Sequence, residues 1–346
     1  MPIPSPALRS TATVALTLAI ALTGGSLFTL LGIPASWLMG GMVAVAVGGV
    51  AGTPVLMPPK VAAGAFVLLG VSMGSGITPD ILHQLARWPL SMVLLSVAVL
   101  VSMVASAAWL ERVHRWDRAT AVYAAVPGAL GMVLAFAANS NANLRRVALA
   151  QSLRLFTLVI AMPWILTWLM GASGPVNGAA AVGAGLRDTV LMLTAASLGG
   201  WVLTRLRVGG GWLMGAMLTS AILHGTGTVH HNMPPWLLVA GFTATGAVIG
   251  SRFRGVSIGA LRADLRPSLE SVGLAMVLSA GFSALGAHFL SLAFGQFWLA
   301  YAPGGVEAMA VMAFSLGLDA AFVGTHHIVR IIGLTALLPV WARRAA

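Results

Sequence analysis

Cysteine is absent from the 346 residues, and charge is scarce. Without cysteine the chain forms no disulfide, carries no thiol nucleophile and offers no cysteine ligand to a metal. Charged residues make up 8% of the sequence, and only eight residues are acidic. Soluble domains contain roughly 25% charged residues. A chain this poor in charge cannot solvate a globular surface, which excludes an ordinary soluble domain.

Apolar residues dominate instead, at 58% of the sequence with a mean hydropathy of +0.94. Many apolar runs reach about 20 residues, the length that crosses the core of a bilayer. They predict an all-α polytopic membrane protein that has the lipid bilayer as its surroundings. The first run extends from Thr11 to about Leu31. Because it exceeds the roughly 7–15 residues of a signal-peptide core, it predicts an uncleaved first span.

The net charge of +11 raises the question of a nucleic-acid partner. The basic residues form short clusters between apolar runs, as in cytoplasmic loops, and not the single stripe of a nucleic-acid interface. No nucleic-acid partner is therefore predicted.

Segments of the first half return in the second half at a nearly constant spacing, which indicates a duplication. "WLMG" at Trp37 returns 175 residues later at Trp212. The other matches are all spaced by 176 residues: Met57 with Met233, Gly70 with Gly246, Ala125 with Tyr301, Arg154 with Arg330, and Pro163 with Pro339. The register predicts a membrane repeat over residues 1–170, a Gly/Ala-rich linker over 171–184 and a second repeat over 185–346.

The distribution of basic residues favours inverted repeats. Six full spans in each half would place three arginine clusters outside, against the positive-inside rule. Suppose instead that the fifth apolar run of each half enters and leaves the membrane on one side. Of the basic residues in loops, only Arg87 and Arg187 then lie outside, and the others, including Arg344, lie inside. Each half then has five spans. Because five is an odd number, the second half crosses the membrane in the opposite orientation to the first. We expect about ten spans and two cytoplasmic termini.

The fifth run of each half also carries a helix-breaking motif. The first run contains Pro127 and Gly128, and the second contains Pro303, Gly304 and Gly305. We expect two broken or re-entrant segments that enter from opposite faces. Inverted repeats with interrupted segments at matching positions are the architecture of secondary transporters. Broken backbone within a membrane must face protein or a water-filled cavity.

Glu307 lies just after the second break, in the apolar run "YAPGGVEAMAVMAF". A charged acid inside a membrane is costly, and such residues often line ion pathways or proton relays. Glu307 is therefore a candidate coupling group that binds a proton or a cation, or else a structural acid tied to a neighbouring cation. Its counterpart in the first half is Gly131, so the position is asymmetric.

Arg154 and Arg330 occupy matching positions inside the last apolar run of each half. Each follows a polar residue, Gln151 or His327, by three positions, which places each pair on one helix face. One interpretation is an anion clamp or a mobile counter-ion for Glu307. The alternative is a fixed ion pair, with Arg330 bound to Glu307 or Asp319, because buried arginines require partners.

Asp319 matches Asn143, and both lie in a polar turn before the last apolar run. Asn143 and its neighbours could coordinate Na⁺ through oxygens, or simply form a hydrated loop. Histidines cluster at two places but show no HExxH motif or completing carboxylate, so no metal site is predicted. They are His224, His230, His231, His326 and His327.

The motifs "GIPASWLMGGMVAVAV" and "GGGWLMGAM", with the Pro-Gly-Gly segment before an arginine-bearing last run, carry a family resemblance. The chain resembles the AbrB family of duplicated bacterial membrane proteins, which implies a location in the bacterial inner membrane. That family usually carries an acid after both breaks, whereas this chain has Gly131 in the first half. The family is similar to cation/proton antiporters and bile-acid-type symporters built on inverted five-span repeats.

These observations favour a secondary transporter of a small anionic or amphipathic solute, coupled to H⁺ or Na⁺. The labels attached to the family imply two alternatives: a membrane-embedded regulator or sensor, and an ammonia monooxygenase-type oxidoreductase. No metal or cofactor motif supports the oxidoreductase, so neither enzymatic activity nor a cofactor is predicted. The expected partners are the bilayer and a small solute or ion. A homodimer is compatible with the sequence.

Overall fold

The computed structural model describes residues 6–75, 88–128, 130–170, 185–229, 231 and 233–343. The predicted linker, Arg87, His230 and Arg344 lie outside these residues, as does the side chain of Arg9. The described residues form fourteen α-helices and one short 3-10 helix, and no strand occurs among them. The helices are α1 (Pro6–Leu30), α2 (Ser36–Val50), α3 (Pro59–Gly74), α4 (Trp88–Arg112), α5 (Arg118–Ala125), α6 (Leu130–Ala137), α7 (Leu144–Met170), α8 (Leu186–Arg205), α9 (Gly211–Gly225), α10 (Pro235–Gly250), α11 (Ile258–Leu290), α12 (Phe294–Tyr301), α13 (Val306–Ser315) and α14 (Ala320–Ala342).

Within the part of the chain that the structure describes, six stretches are long and apolar enough to cross a membrane. They lie in α1, α4, α7, α11 and α14, and in α10 with the 3-10 helix Ser251–Phe253 that follows it. The prediction of an all-helical chain is confirmed for the described residues, and these six stretches have the length and composition of membrane spans. The number of spans and the inversion of the two halves stay predictions.

The chain divides into two compact units that cut across the two halves of the sequence. The first unit comprises Met1–Ile77 and Ala172–Ile258, and the second comprises Thr78–Gly171 and Gly259–Ala346. Each unit therefore takes one stretch from each predicted repeat. The duplication alone does not predict this division, because matching sequence shows which segments are related and not which of them pack together.

Glycines allow the helices of the first unit to approach closely. A Cβ atom on Gly24 of α1 would lie 2.3 Å from the carbonyl oxygen of Gly40 on α2. In the second half, a Cβ on Gly215 of α9 would lie 2.3 Å from the carbonyl oxygen of Gly199 on α8. A methyl group fits at none of these positions without moving the backbone. The duplicated "WLMG" motif thus repeats one way of packing two helices.

Two broken segments occupy the second unit. The first consists of α5, the break at residues 126–128 and α6, and the second consists of α12, the break at residues 302–305 and α13. The helices α5, α6 and α12 have 8 residues each and α13 has 10. An 8-residue helix is about 12 Å long, far short of the roughly 30 Å core of a bilayer. The predicted helix breakers coincide with both gaps.

The first broken segment begins and ends at the same place. The backbone N–H of Asn143, after α6, donates to Thr120 Oγ1 near the start of α5 at 2.8 Å. The guanidinium of Arg146 lies 5.0 Å from the ring of Trp116. Trp116 also packs with Leu110, near the end of α4. The chain therefore enters and leaves this segment beside the last turn of α4.

The second broken segment also closes on itself, at the other end of α4. The ring of Phe297 in α12 lies 5.3 Å from that of Phe322 in α14. Phe322 in turn contacts Trp88, the first residue of α4, at 5.7 Å between ring centres. Within the second unit, the two segments therefore open at opposite ends of one helix.

Candidate functional site

Arg154 and Gln151 bind the open end of α5. A helix leaves its last carbonyl groups without donors from its own backbone. Arg154 Nη1 donates to the carbonyl oxygen of Ala124 at 3.3 Å, and Nη2 donates to that of Val126 at 2.9 Å. Gln151 Nε2 donates to the carbonyl oxygen of Tyr123 at 3.3 Å. The positive guanidinium also offsets the negative end of the helix dipole, so both residues stabilise the first break.

Arg330 and His327 bind the second break in the same way. Arg330 Nη1 donates to the carbonyl oxygen of Ala302 at 2.6 Å, and Nη2 donates to that of Gly304. His327 Nε2 lies 2.9 Å from the carbonyl oxygen of Leu299, and its Nδ1 lies 2.6 Å from Arg330 Nη2. Because the guanidinium can only donate, Nδ1 must accept and Nε2 must carry the proton. These contacts require neutral His327.

The predicted ion pairs of Arg330 are not among its contacts in the described part of the chain. Its guanidinium binds two carbonyl groups and His327. Asp319 instead caps α14, where its Oδ1 accepts from the backbone N–H groups of Ala321 at 2.9 Å and Phe322 at 3.0 Å. These contacts replace the fixed ion pair with a carbonyl clamp.

Asn143 has the capping role of its counterpart Asp319. Its Oδ1 accepts from the backbone N–H of Arg146 at 3.1 Å, at the start of α7. The two matched residues therefore both form helix N-caps, a position that Asn and Asp favour. A role for either residue in transport stays a prediction.

Glu307 is the second residue of α13 and is half-buried. The positive end of the helix dipole favours a carboxylate there. Its Oε2 lies 3.8 Å from the place that a Cβ atom on Gly305 would take. Within the described residues, no hydrogen bond or ion pair joins its carboxylate to another side chain. The structure thus leaves the carboxylate available, and its function as a coupling group stays a prediction.

The two breaks meet inside the second unit. A Cβ atom on Gly128 would lie 3.7 Å from Arg330 Nη2 and 3.7 Å from the carbonyl oxygen of Gly304. Gly128 has a φ of +87°, which glycine adopts without strain. The structure therefore brings together both arginines, their polar neighbours and the breaker residues. It does not bring Asn143 or Asp319 to this place, because both lie at the outer ends of the segments.

A cavity of about 250 Å³, part of which is open solvent, lies at this meeting point. Its lining comprises Ser102, Ser106, Ala125, Pro127, Arg154, Ser271, Ala275 and Pro303. Sequence reasoning missed the three serines, which lie on α4 and α11 outside any motif. The available signal was the four-residue spacing of Ser102 and Ser106, which places them on one helix face.

The sequence is similar to known proteins along most of its length. The family profile described as "Transition state regulatory protein AbrB" matches residues 37–346. The chain belongs to the AbrB family. A Bacillus subtilis (strain 168) relative named YhjN is 28% identical over 355 residues, which cover 94% of this chain and 91% of that protein. An Escherichia coli (strain K12) relative named "Putative regulator AbrB" is 27% identical over 316 residues, which cover 90% of each chain.

Proposed function

We propose that this AbrB-family protein is a secondary transporter of a small anionic solute, coupled to H⁺ or Na⁺. The observation that carries the proposal is the meeting of two broken segments, each clamped by a buried arginine. Transporters place substrate and coupling ions at such half-helix ends. Exposed backbone at this depth requires a lining of protein or water, and the cavity supplies that environment.

The charge at the breaks favours an anion. The side chains of Arg154 and Arg330 are 8% and 4% exposed, and both carry positive charge. Glu307 follows the second break, and among these three residues one positive charge is in excess. Buried charge without a counter-charge is unfavourable. A monovalent anion in the cavity would offset that excess, whereas a cation would add to it.

Glu307 is the proposed coupling group. Binding a proton there removes the one negative charge among Arg154, Arg330 and Glu307. The positive field that acts on an anion then increases, so proton binding and anion binding favour each other, and this coupling is reciprocal. The expected direction is therefore symport of the anion with a cation.

The arrangement of the broken segments supports an inverted-repeat topology. The two segments open at opposite ends of α4, as they would if they entered a membrane from opposite faces. We propose about ten spans, five in each half, with both termini in the cytoplasm and the protein in the inner membrane of a bacterium. This topology agrees with the positive-inside rule.

Uptake by purified protein in liposomes tests the proposal. We expect anion uptake to increase with an imposed inward H⁺ or Na⁺ gradient, and Glu307→Gln to lose that dependence. The matched control is Glu111→Gln, which changes an exposed acid near the end of α4. Flux that is unchanged in both Glu307→Gln and Arg330→Ala would rule out the assigned site.

A membrane-embedded regulator is the second candidate, because the family profile and the Escherichia coli relative carry that word in their names. In that case the anion would act as a signal and would bind without crossing the membrane. Anion binding in the absence of gradient-driven flux would favour this candidate. For either function we expect no catalytic activity.

A further inference from the structure

We propose that the cavity beside the first break binds a short-chain monocarboxylate through the guanidinium of Arg154 and the hydroxyls of Ser102, Ser106 and Ser271. The inference deepens the proposed transport function and rests on it for the movement of the solute. The binding itself is a separate property that can be measured without flux.

The serine hydroxyls are the first support. A serine within a helix commonly donates to the carbonyl four residues earlier, as Ser96 on α4 does to Met92 at 2.8 Å and Ser283 on α11 does to Ser279 at 2.6 Å. Ser102 and Ser271 are only 8% and 9% exposed. Within the described residues, neither hydroxyl has a hydrogen-bond partner, although both line the cavity.

Ser106 adds a third hydroxyl to this group. It lies 3.4 Å from the carbonyl oxygen of Ser271, a long contact that joins α4 to α11. A buried hydroxyl is costly when it lacks a partner. The hydroxyls of Ser102 and Ser271, on two helices, border one cavity without a partner and therefore point to a ligand that accepts hydrogen bonds.

Arg154 supplies the charge. Two of its N–H groups bind the carbonyl oxygens of Ala124 and Val126, while a guanidinium carries five such donors in a plane. The clamp fixes the orientation of the group, which lowers the entropic cost of binding a carboxylate. None of the residues that line the cavity is acidic, so an anion meets no repulsion there.

The remaining wall of the cavity selects a short carbon chain. Ala125, Pro127, Ala275 and Pro303 form its apolar part. A bare inorganic oxyanion would leave the apolar wall in contact with water, whereas two or three carbons would cover it. Propionate carries one negative charge and a short apolar chain.

The serines of this site are not repeated at the matching positions of the second half. At the spacing of 176 residues, the counterparts of Ser102 and Ser106 are Leu278 and Phe282. Arg330 is the counterpart of Arg154, but it does not line the cavity. The hydroxyl group cluster is therefore not a by-product of the repeated framework.

Calorimetric titration of the purified full-length protein with propionate tests the inference. We expect saturable binding of propionate, and at least tenfold weaker binding of propionamide, which carries no charge. Ser102→Ala and Ser271→Ala should each weaken propionate binding about tenfold, because each loses a hydrogen bond to a charged group. The matched controls Ser96→Ala and Ser283→Ala should bind propionate as the unmodified protein does.

Ala275→Leu provides a test that leaves every polar group in place. The larger side chain fills the apolar part of the cavity, so propionate binding should be lost while the unfolding temperature changes little. Equal affinity for phosphate and propionate would overturn the carboxylate assignment. So would unchanged propionate binding in both serine variants and Ala275→Leu. Binding without flux would contradict the transport function and leave this site standing.

Discussion

The two breaks share one framework but differ in what surrounds it. In both, an arginine and a polar residue three positions earlier bind the carbonyl groups at the end of a half-helix. At the first break, Arg154 lines a cavity with three serines. At the second, the Nε of Arg330 is buried without a hydrogen-bond partner among the described residues, and an acid follows. The two breaks therefore share the clamp, whereas the cavity lining and the acid each belong to one of them.

The largest expected effect is on the free energy of unfolding when one of the two clamping arginines is removed. Arg330→Ala leaves two buried carbonyl groups and His327 without their donor, which should lower the free energy of unfolding by on the order of 3–5 kcal/mol. Arg154→Ala should cost less, about 1–3 kcal/mol, because water can reach its carbonyl groups through the cavity. Urea unfolding of both variants in detergent measures the difference. An equal or larger loss in Arg154→Ala would show that the two breaks are not buried differently.

Substitutions of His327, the counterpart of Gln151 in the first half, should have a smaller effect on the free energy of unfolding. His327→Gln keeps a donor for the carbonyl of Leu299 and an acceptor for Arg330, so it should change the free energy of unfolding by about 1 kcal/mol or less. His327→Ala removes both groups and should cost about 2–3 kcal/mol.

Anion uptake into liposomes at different pH values tests whether His327 or Glu307 binds the coupling proton. Because the contacts of His327 require its neutral form, His327→Gln should retain the pH dependence of uptake. Loss of that dependence in the glutamine variant would assign proton coupling to His327 and not to Glu307.

The smallest expected effect concerns the caps at the outer ends of the segments. Asp319→Ala loses two hydrogen bonds to backbone N–H groups, and Asn143→Ala loses one. We expect losses of about 1–2 kcal/mol and about 0.5–1 kcal/mol in the free energy of unfolding, respectively. Uptake per folded molecule should be unchanged in both variants. A selective loss of uptake in Asp319→Ala would instead give that residue a part in transport.

The duplication made much of the site predictable from the sequence. Constant spacing paired Arg154 with Arg330 and the two breaker motifs with each other, and each pair lies together in the second unit. The cap role of Asp319 was also within reach, since Asp before an apolar run is a helix-start signal. An ion pair between Asp319 and Arg330 was the competing interpretation, because a sequence gives no distances between side chains.

The cavity could not be predicted in the same way. Its serines come from α4 and α11, which are separated by more than a hundred residues, and their packing is not local. A serine in a long apolar helix also has a satisfactory partner in its own backbone. Only the position of the helices shows that Ser102 and Ser271 lack that bond.

The interleaving of the two units has a consequence for synthesis on the ribosome. The first unit needs residues up to Ile258, and the second needs residues close to Ala346. In the first unit, α2 packs so closely on α10 that a Cβ atom on Gly246 would lie 2.3 Å from the carbonyl oxygen of Leu38. The nascent first half must therefore remain in the membrane with its glycine-lined faces open until their partners are translated. A chain that stopped at residue 170 would complete neither unit, although it would contain the whole of the predicted first repeat.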